Sequence, residues 1–444
     1  MKPKNEKKPL VITPRVKRLI VVLGLLYAGL LWFALSAGYS SVKFIPEVTI
    51  IALLLVVYDM LMPILVILAG WITKPIENII QEGFKNKARK KLAARKDLKV
   101  IAITGSYGKT STKFVLKTLL SERFNVCYTP GSFNTPMGIC KVINNDLQPN
   151  HQILILEMGA RYKGNITELC NIARPHVSVI TNVGKAHLET FGSVEAIAET
   201  KGELLLGLHA NGTAVLNSDD SRVTSMPRRT DTKVIPAGLK TGKFKTSDIS
   251  YDKNGCSFSV IQEGNSPVNV STPLLGEHNV QNILLGFAVG SHFGLRLETM
   301  ALAASKLEPV EHRLELKKGP NYTIIDDAFN SNPIGARNAV DVLCQFNDGR
   351  RIIVTPGMIE LGEEEYEENK AWGAYIGERD IDFMLLVGEK QTKPIYEGLI
   401  SAGYPESNIL VFATFFDARK WLEENRKDGD VILYENDLPD SYNE

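Results

Sequence analysis

The sequence predicts an α/β protein in which two doubly wound, parallel-sheet units follow a membrane hairpin. Three observations carry that prediction. A β-branched run at 100–104 breaks into a glycine loop and then a helix; short apolar runs alternate with helical stretches through the rest of the chain; and two apolar runs near the N-terminus are long enough to cross a bilayer. At 444 residues the chain has room for about two or three domains.

The first apolar run, about 19–38, is almost free of polar groups and meets the length of about 20 helical residues that a bilayer core requires. It is too long for a signal peptide and lacks a small-residue cleavage site. The second, about 48–72, carries Pro63 and Asp59. Asp59 fits two readings, an interhelical hydrogen bond or contact with a lipid-linked or partner group. Cations set the orientation. Lys2, Lys4, Lys7, Lys8, Arg15, Lys17 and Arg18 precede the first run, Lys74, Lys85, Lys87, Arg89, Lys90, Lys91, Arg95, Lys96 and Lys99 follow the second, and Lys43 alone lies between them. The positive-inside rule puts both ends in the cytoplasm of a two-span cell-membrane protein. The basic run 85–99 reads either as a helix on an anionic lipid face or as a solvated linker.

The stretch Val100–Ser111 has the layout of a phosphate-binding loop, a buried strand entering Thr104-Gly105-Ser106-Tyr107-Gly108-Lys109-Thr110-Ser111 and then a helix. Gly105 and Gly108 let successive N–H groups turn toward an anion, to which the helix adds its positive end. Lys109 would reach the outer phosphates of ATP, and Thr110 a bridging Mg2+. The usual G-x-x-x-x-G-K spacing would need glycine at 103, where the chain has Ile103.

Further strands at 153–156, 177–181 and 214–216 alternate with helices at 165–173 and 194–206. In such sheets ligands gather at the carboxyl ends of the strands, where Glu157 and His187 stand. A carboxylate and an imidazole there could ligate a second cation, although each alone also fits an ordinary loop residue. Lys201 likewise fits a solvated helical lysine.

Together the motifs resemble the Mur ligases, the ATP-dependent amide ligases of peptidoglycan precursor synthesis. They are Thr104–Ser111, Leu156-Glu-Met-Gly-Ala160, Thr181-Asn-Val-Gly-Lys-Ala-His-Leu-Glu189, Ala198-Glu-Thr-Lys-Gly-Glu203, Gly276-Glu-His-Asn-Val-Gln-Asn282, Glu311-His-Arg-Leu-Glu315 and Asp326-Asp-Ala-Phe-Asn-Ser-Asn-Pro333. Gly131-Ser-Phe-Asn134 and Pro356-Gly-Met-Ile-Glu-Leu-Gly362 bring the likeness nearest to the MurF branch, which attaches D-alanyl-D-alanine to the UDP-linked muramoyl tripeptide.

The resemblance implies a phosphate-loop central domain at 99–307 and a Rossmann-like C-terminal domain at 308–444, behind a hairpin and basic linker at 1–98. It implies ATP contacts from Gly105, Ser106, Gly108, Lys109, Thr110 and Ser111, adenine-side contacts from Asn279 and Asn282, and ribose or hinge contacts from Arg313 and Asp327. Metal ligands would be Thr110, Glu157, His187 and a carbamoylated Lys201; Lys109, His187 and Lys201 would be catalytic. Its partners would be a cell-wall precursor, an amino-acid or dipeptide acceptor and membrane lipid.

Two departures bear on substrate recognition. Residues 1–98 stand where Mur ligases carry a soluble UDP-reading domain, and Glu435-Asn436-Asp437 stands where a Lys-Gly-Ser turn is expected. Other readings of the same residues stay open: a synthase of another polymer such as poly-γ-glutamate, or a non-catalytic membrane scaffold that binds nucleotide. A net charge of +1 gives no reason to expect nucleic acid. Cysteines 127, 140, 170, 256 and 344 form no C-x-x-C pair, so reduced thiols are expected.

Overall fold

The computed structural model describes residues 12–41, 47–131, 133–184, 188–252, 254–309, 312–328, 333–346, 349–359 and 361–436. The chain divides into two compact units, 1–88 and 89–444.

In the first unit, α1 (Pro14–Ser41) is followed by α2 (Glu47–Ala93), the longer helix, which passes through Pro63 and Pro75. Arg18 Nε donates to Glu77 Oε1 at 2.6 Å, tying the start of α1 to the later part of α2, so the two helices run antiparallel. Ile20, Leu25 and Trp32 of α1, and Met60, Ile67 and Trp71 of α2, are exposed. Within the described residues, Pro14–Phe33 and Met60–Ala93 are long and apolar enough to cross a membrane, by length and composition alone. The side chain of Asp59 lies outside the described residues.

The second unit begins with the end of α2, and the basic run there is not a solvated linker. Arg89 Nε donates to the Asn171 carbonyl at 3.2 Å, Lys91 Nζ to the Leu147 carbonyl at 2.7 Å and Arg95 to the His151 carbonyl at 2.6 Å. Each of these cations meets a backbone acceptor of the second unit.

Two sheets follow. The first runs β2-β3-β1-β4-β5-β6-β7-β8-β9. Its parallel part is β1 (Lys99–Thr104), β2 (Val126–Tyr128), β3 (Ile153–Glu157), β4 (Val177–Ile180), β5 (Thr213–Asn217) and β6 (Lys233–Ala237). Between these lie α3 (Lys109–Ser121), α4 (Pro136–Lys141), α5 (Asn165–Ala173), α6 (Leu188–Phe191), α7 (Val194–Leu206) and α8 (Ser221–Thr224). Residues 153–157 and 177–180 are buried throughout, as strands covered on both faces must be, and so they read as unbroken apolar runs.

The sheet is longer than the sequence suggests. Strands β7 (Phe244–Asp252), β8 (Gly255–Gln262) and β9 (Val268–Thr272) extend it as an antiparallel meander before α9 (Glu277–His292) and α10 (Leu297–Ala304). These strands alternate buried and exposed positions and are rich in Ser, Thr, Lys and Asp, so they lack an apolar run. The core of this domain packs Leu116, Leu119, Ile283 and Phe287 against the sheet.

The second sheet runs β10-β11-β15-β12-β13-β14. Strands β11 (Thr323–Asp327), β12 (Arg351–Thr355), β13 (Phe383–Val387), β14 (Ile409–Phe412) and β15 (Val431–Glu435) are parallel, connected through α11 (Pro333–Leu343), α12 (Glu365–Gly377), α13 (Glu389–Ser401) and α14 (Phe415–Asn425). These parallel strands fall on the apolar runs that the sequence offers at 322–325, 351–355, 383–387, 409–412 and 431–434. The charged strand β10 (Glu315–Lys318) pairs antiparallel with β11 and was not expected.

Candidate active site

Strand β1 lies between β3 and β4, with Ile103 beside Glu157 and Thr104 beside Ile180. The glycine loop that leaves β1 therefore opens between the carboxyl ends of its neighbours, where ligands collect in open α/β sheets.

Residues after β4 clamp that loop. Ser106 N donates to the Asn182 carbonyl at 3.0 Å and Tyr107 N to Asn182 Oδ1 at 2.9 Å, while Thr181 Oγ1 donates to the Tyr107 carbonyl at 2.6 Å. Ser106 Oγ accepts from Gly184 N at 2.8 Å and donates to its carbonyl at 3.0 Å. The glycines are required by close approach. A Cβ on Gly105 would lie 1.8 Å from Thr181 Oγ1; Gly108 has φ +76, and a Cβ there would lie 2.8 Å from Asn282 Oδ1. Ser111 follows half-buried in the first turn of α3.

Lys109 Nζ donates to the carbonyls of Gly105 at 2.8 Å and Ser106 at 3.0 Å, so it lies along the loop it would serve. Burial holds its pKa below the ordinary lysine range; Glu157 opposes that shift and Arg313 adds to it. Thr110 Oγ1 donates to Glu157 Oε2 at 3.0 Å. Glu157 is 2 % exposed, and it also accepts from Lys113 Nζ at 2.9 Å on Oε2 and from Asn134 Nδ2 at 3.2 Å on Oε1. The facing Thr110 and Glu157 oxygens form a hard donor set of the kind Mg2+ takes.

Lys201 lies on α7 and is 5 % exposed. Burial, with Lys109 nearby, lowers its pKa from 10.5 to about 7. It is thus not the solvated lysine its helix suggested. His187 lies outside the described residues.

On the far side, Asn282 Oδ1 accepts from Thr112 Oγ1 at 3.0 Å, and Asn279 Nδ2 donates to the Leu275 carbonyl at 2.8 Å. Asp327 Oδ1 accepts from Leu314 N at 3.0 Å. Burial pushes the Asp327 carboxyl up to about 6, against hydrogen bonds from Leu314 N and Glu435 and the charge of Arg313. Arg313 is itself lowered by burial, with Asp327 and Glu157 both opposing, so its charge is felt on both sides of the site. The structure thus gathers Lys109, Thr110, Glu157, Lys201, Asn282 and Arg313 around one loop.

Sequence reasoning missed several residues here. Lys113 and Asn134 both bond Glu157. Lys113 follows Thr110 by three positions on α3, a helical spacing that could have revealed it. His278 is half-buried beside Arg313, desolvation lowers its pKa to about 4, and its Nδ1 has no partner among the described residues. In the C-terminal domain, a cavity of about 520 Å3 is lined by Lys317, Tyr322, Arg419, Arg426, Tyr434 and Asn436 among others. His312, Glu315 and Asp326 also cluster, but Lys317 Nζ sits among them, 2.5 Å from Asp326 and 3.1 Å from Glu315, so a cation is already present.

These features define a phosphate-loop protein whose second α/β domain contributes to the same site. The comparisons with known proteins name the family. Residues 103–290 match the Mur ligase middle domain and residues 312–434 the Mur ligase glutamate ligase domain. The chain is 32 % identical over 338 residues to the UDP-N-acetylmuramoyl-tripeptide–D-alanyl-D-alanine ligase of Bacillus subtilis, covering 76 % of this chain and 72 % of that protein. It is 34 % identical over 315 residues to the ligase of the same name from Mycobacterium tuberculosis, covering 69 % of this chain but only 62 % of that one. Among solved structures, MurF from Thermotoga maritima in complex with ADP superposes with a TM-score of 0.71 at 28 % identity, covering 80 % of each chain. The chain belongs to the Mur ligase family, ATP-dependent amide ligases that form ADP and phosphate.

Proposed function

We propose that this chain is a membrane-anchored, MurF-like ligase that joins an amino acid or D-alanyl-D-alanine-type dipeptide to the peptide carboxylate of a muramoyl precursor. The observation that carries the reading is the convergence of Lys109, Thr110 and Glu157 at one strand edge, with a buried Lys201 nearby. The MurF relatives support the acceptor.

The physical problem is to make an amide from a carboxylate in water. Attack of the carboxylate on the γ-phosphorus of ATP gives an acyl phosphate and ADP; attack of the acceptor amine then gives the amide and phosphate. Backbone N–H groups of Gly108, Lys109 and Thr110 would hold the phosphates, since those of Ser106 and Tyr107 are bonded to Asn182, and Lys109 would leave the loop carbonyls for the γ-phosphate as charge moves there. Thr110 would hold a Mg2+ at the phosphates, and Glu157, His187 and a carbamoylated Lys201 a second cation; when bound, these screen the phosphate charge. Asn279 and Asn282 would flank the adenine, Arg313 and Asp327 the ribose. The second domain would bring the acceptor and shield the acyl phosphate from water.

The proposed organisation is an anchor and linker at 1–98, an ATP-binding domain at 99–307 and an acceptor domain at 308–444. Exposed Trp32 and Trp71 each lie toward the C-terminal end of their apolar run, which, with α1 and α2 antiparallel, suits a two-span hairpin with an aromatic residue toward each interface. Both termini and the catalytic domains would then be cytoplasmic.

Phosphate release from ATP by the detergent-purified chain tests the reading. Release should require both a muramoyl tripeptide, UDP-linked or lipid-linked, and D-alanyl-D-alanine. Release with glutamate as acceptor and silence with both muramoyl forms would refute it.

A further inference from the structure

We propose that Lys113 is a positioning residue for the phosphoryl-transfer site, fixing Glu157 against Thr110 and holding the Gly131–Asn134 loop to the end of β3. This inference rests on the ligase reading above, in which Glu157 is a metal ligand. Lys113 has no exposed surface at all, unusual for a lysine, and its charge is compensated inside the domain. Its Nζ donates to Glu157 Oε2 at 2.9 Å and to the Gly131 carbonyl.

Three separate elements meet at this ammonium: helix α3, which carries Lys109 and Thr110; the loop of residues 131–134; and the carboxyl end of β3. The loop closes the arrangement from its other end, because Asn134 Nδ2 donates to Glu157 Oε1 at 3.2 Å and the Asn134 carbonyl accepts from Gly159 N at 3.0 Å. Glu157 N donates in turn to Thr129 Oγ1 at 3.1 Å. A carboxylate bound on both oxygens has one rotamer available, and Thr110 Oγ1 shares Oε2 with the lysine. Without Lys113, the hydroxyl of Thr110 is the one partner of Oε2 left among the described residues, and the Gly131 carbonyl loses its bond to α3. Partners that orient a metal ligand in this way set metal affinity, and their removal costs about 10–100-fold.

The test uses the full detergent-purified chain with Mn2+ as the spectroscopic probe and ADP as nucleotide. Electron paramagnetic resonance measures Mn2+ binding in the presence of ADP, and calorimetry in EDTA measures ADP binding without metal. For Lys113→Met, Mn2+ affinity should fall by about 10–100-fold while metal-free ADP affinity changes less than about threefold. Lys113→Arg keeps the charge in a longer, planar fork and should fall between wild type and Lys113→Met; it also keeps the proposal testable if Lys113→Met does not fold. Unchanged Mn2+ binding in a folded variant would overturn the proposal. So would tighter binding, since Lys113 would then be competing with the cation. A wild-type chain that binds no Mn2+ with ADP would instead sink the ligase reading itself.

Discussion

Lys201 gives the sharpest chemical prediction. An ordinary lysine with a pKa of 10.5 is neutral in roughly 1 molecule in 3,000 at pH 7, whereas one lowered to about 7 is neutral in about half. Carbamoylation by CO2 needs the neutral amine, so burial on α7 raises the reactive population about 1,500-fold. The product is an anion where plain lysine would repel a cation. The perturbation is removal of CO2 at pH 7, with Lys201→Arg in parallel. Carbon-13 NMR after addition of labelled bicarbonate should show one carbamate on the wild-type chain and none on the variant. Turnover should fall in degassed, bicarbonate-free buffer and recover on adding bicarbonate; Lys201→Arg should lose on the order of 100-fold and show no bicarbonate response. A wild-type chain that takes up no label and turns over equally without CO2 would refute the reasoning.

Other perturbations have equally definite outcomes. Lys109→Ala should lower ATP turnover by at least about 100-fold with unchanged circular dichroism, since among the described residues Lys109 bonds the loop's own carbonyls. Gly108→Ala combines a left-handed φ with a Cβ 2.8 Å from Asn282 Oδ1; it should cost about 1–2 kcal/mol or more in urea unfolding and weaken ADP binding. Asp327 is held at about 6, above its ordinary 3.8, so the folded state keeps a proton that the unfolded state has lost. Stability should therefore decline as pH rises from about 4 to about 6, by at most about 3 kcal/mol, and Asp327→Asn should flatten that slope in urea midpoints measured across the window.

Much of the fold was legible because its parallel strands are buried on both faces. Runs such as Ile153–Glu157 and Arg351–Thr355 cannot hide in the sequence. Strands β2, β6 and β7 to β10 were not seen: β2 has only three residues, β6 carries Pro236 and is buried at two positions, and a one-sided strand of Ser, Thr and Lys looks like a loop until its partners are known. Asn254-Gly255 does carry a hairpin signal between β7 and β8. In the site, Lys109, Thr110 and Glu157 announced themselves by position at strand ends. Lys113 did not, since a lysine in a helix is normally solvated; its spacing from Thr110 hints at a shared face, and the fold shows its ammonium facing inward. The same holds for Arg89, Lys91 and Arg95, whose partners are backbone carbonyls that no side-chain pattern reveals.

The central claim is activation of a carboxylate as an acyl phosphate, and isotope transfer tests it most directly. A muramoyl tripeptide labelled with oxygen-18 in its reacting carboxylate would be turned over with ATP and D-alanyl-D-alanine, and the released phosphate examined by mass spectrometry. The account predicts one labelled oxygen in each phosphate formed, because the oxygen lost from the carboxylate leaves on phosphorus. Unlabelled phosphate accompanying amide formation would contradict it.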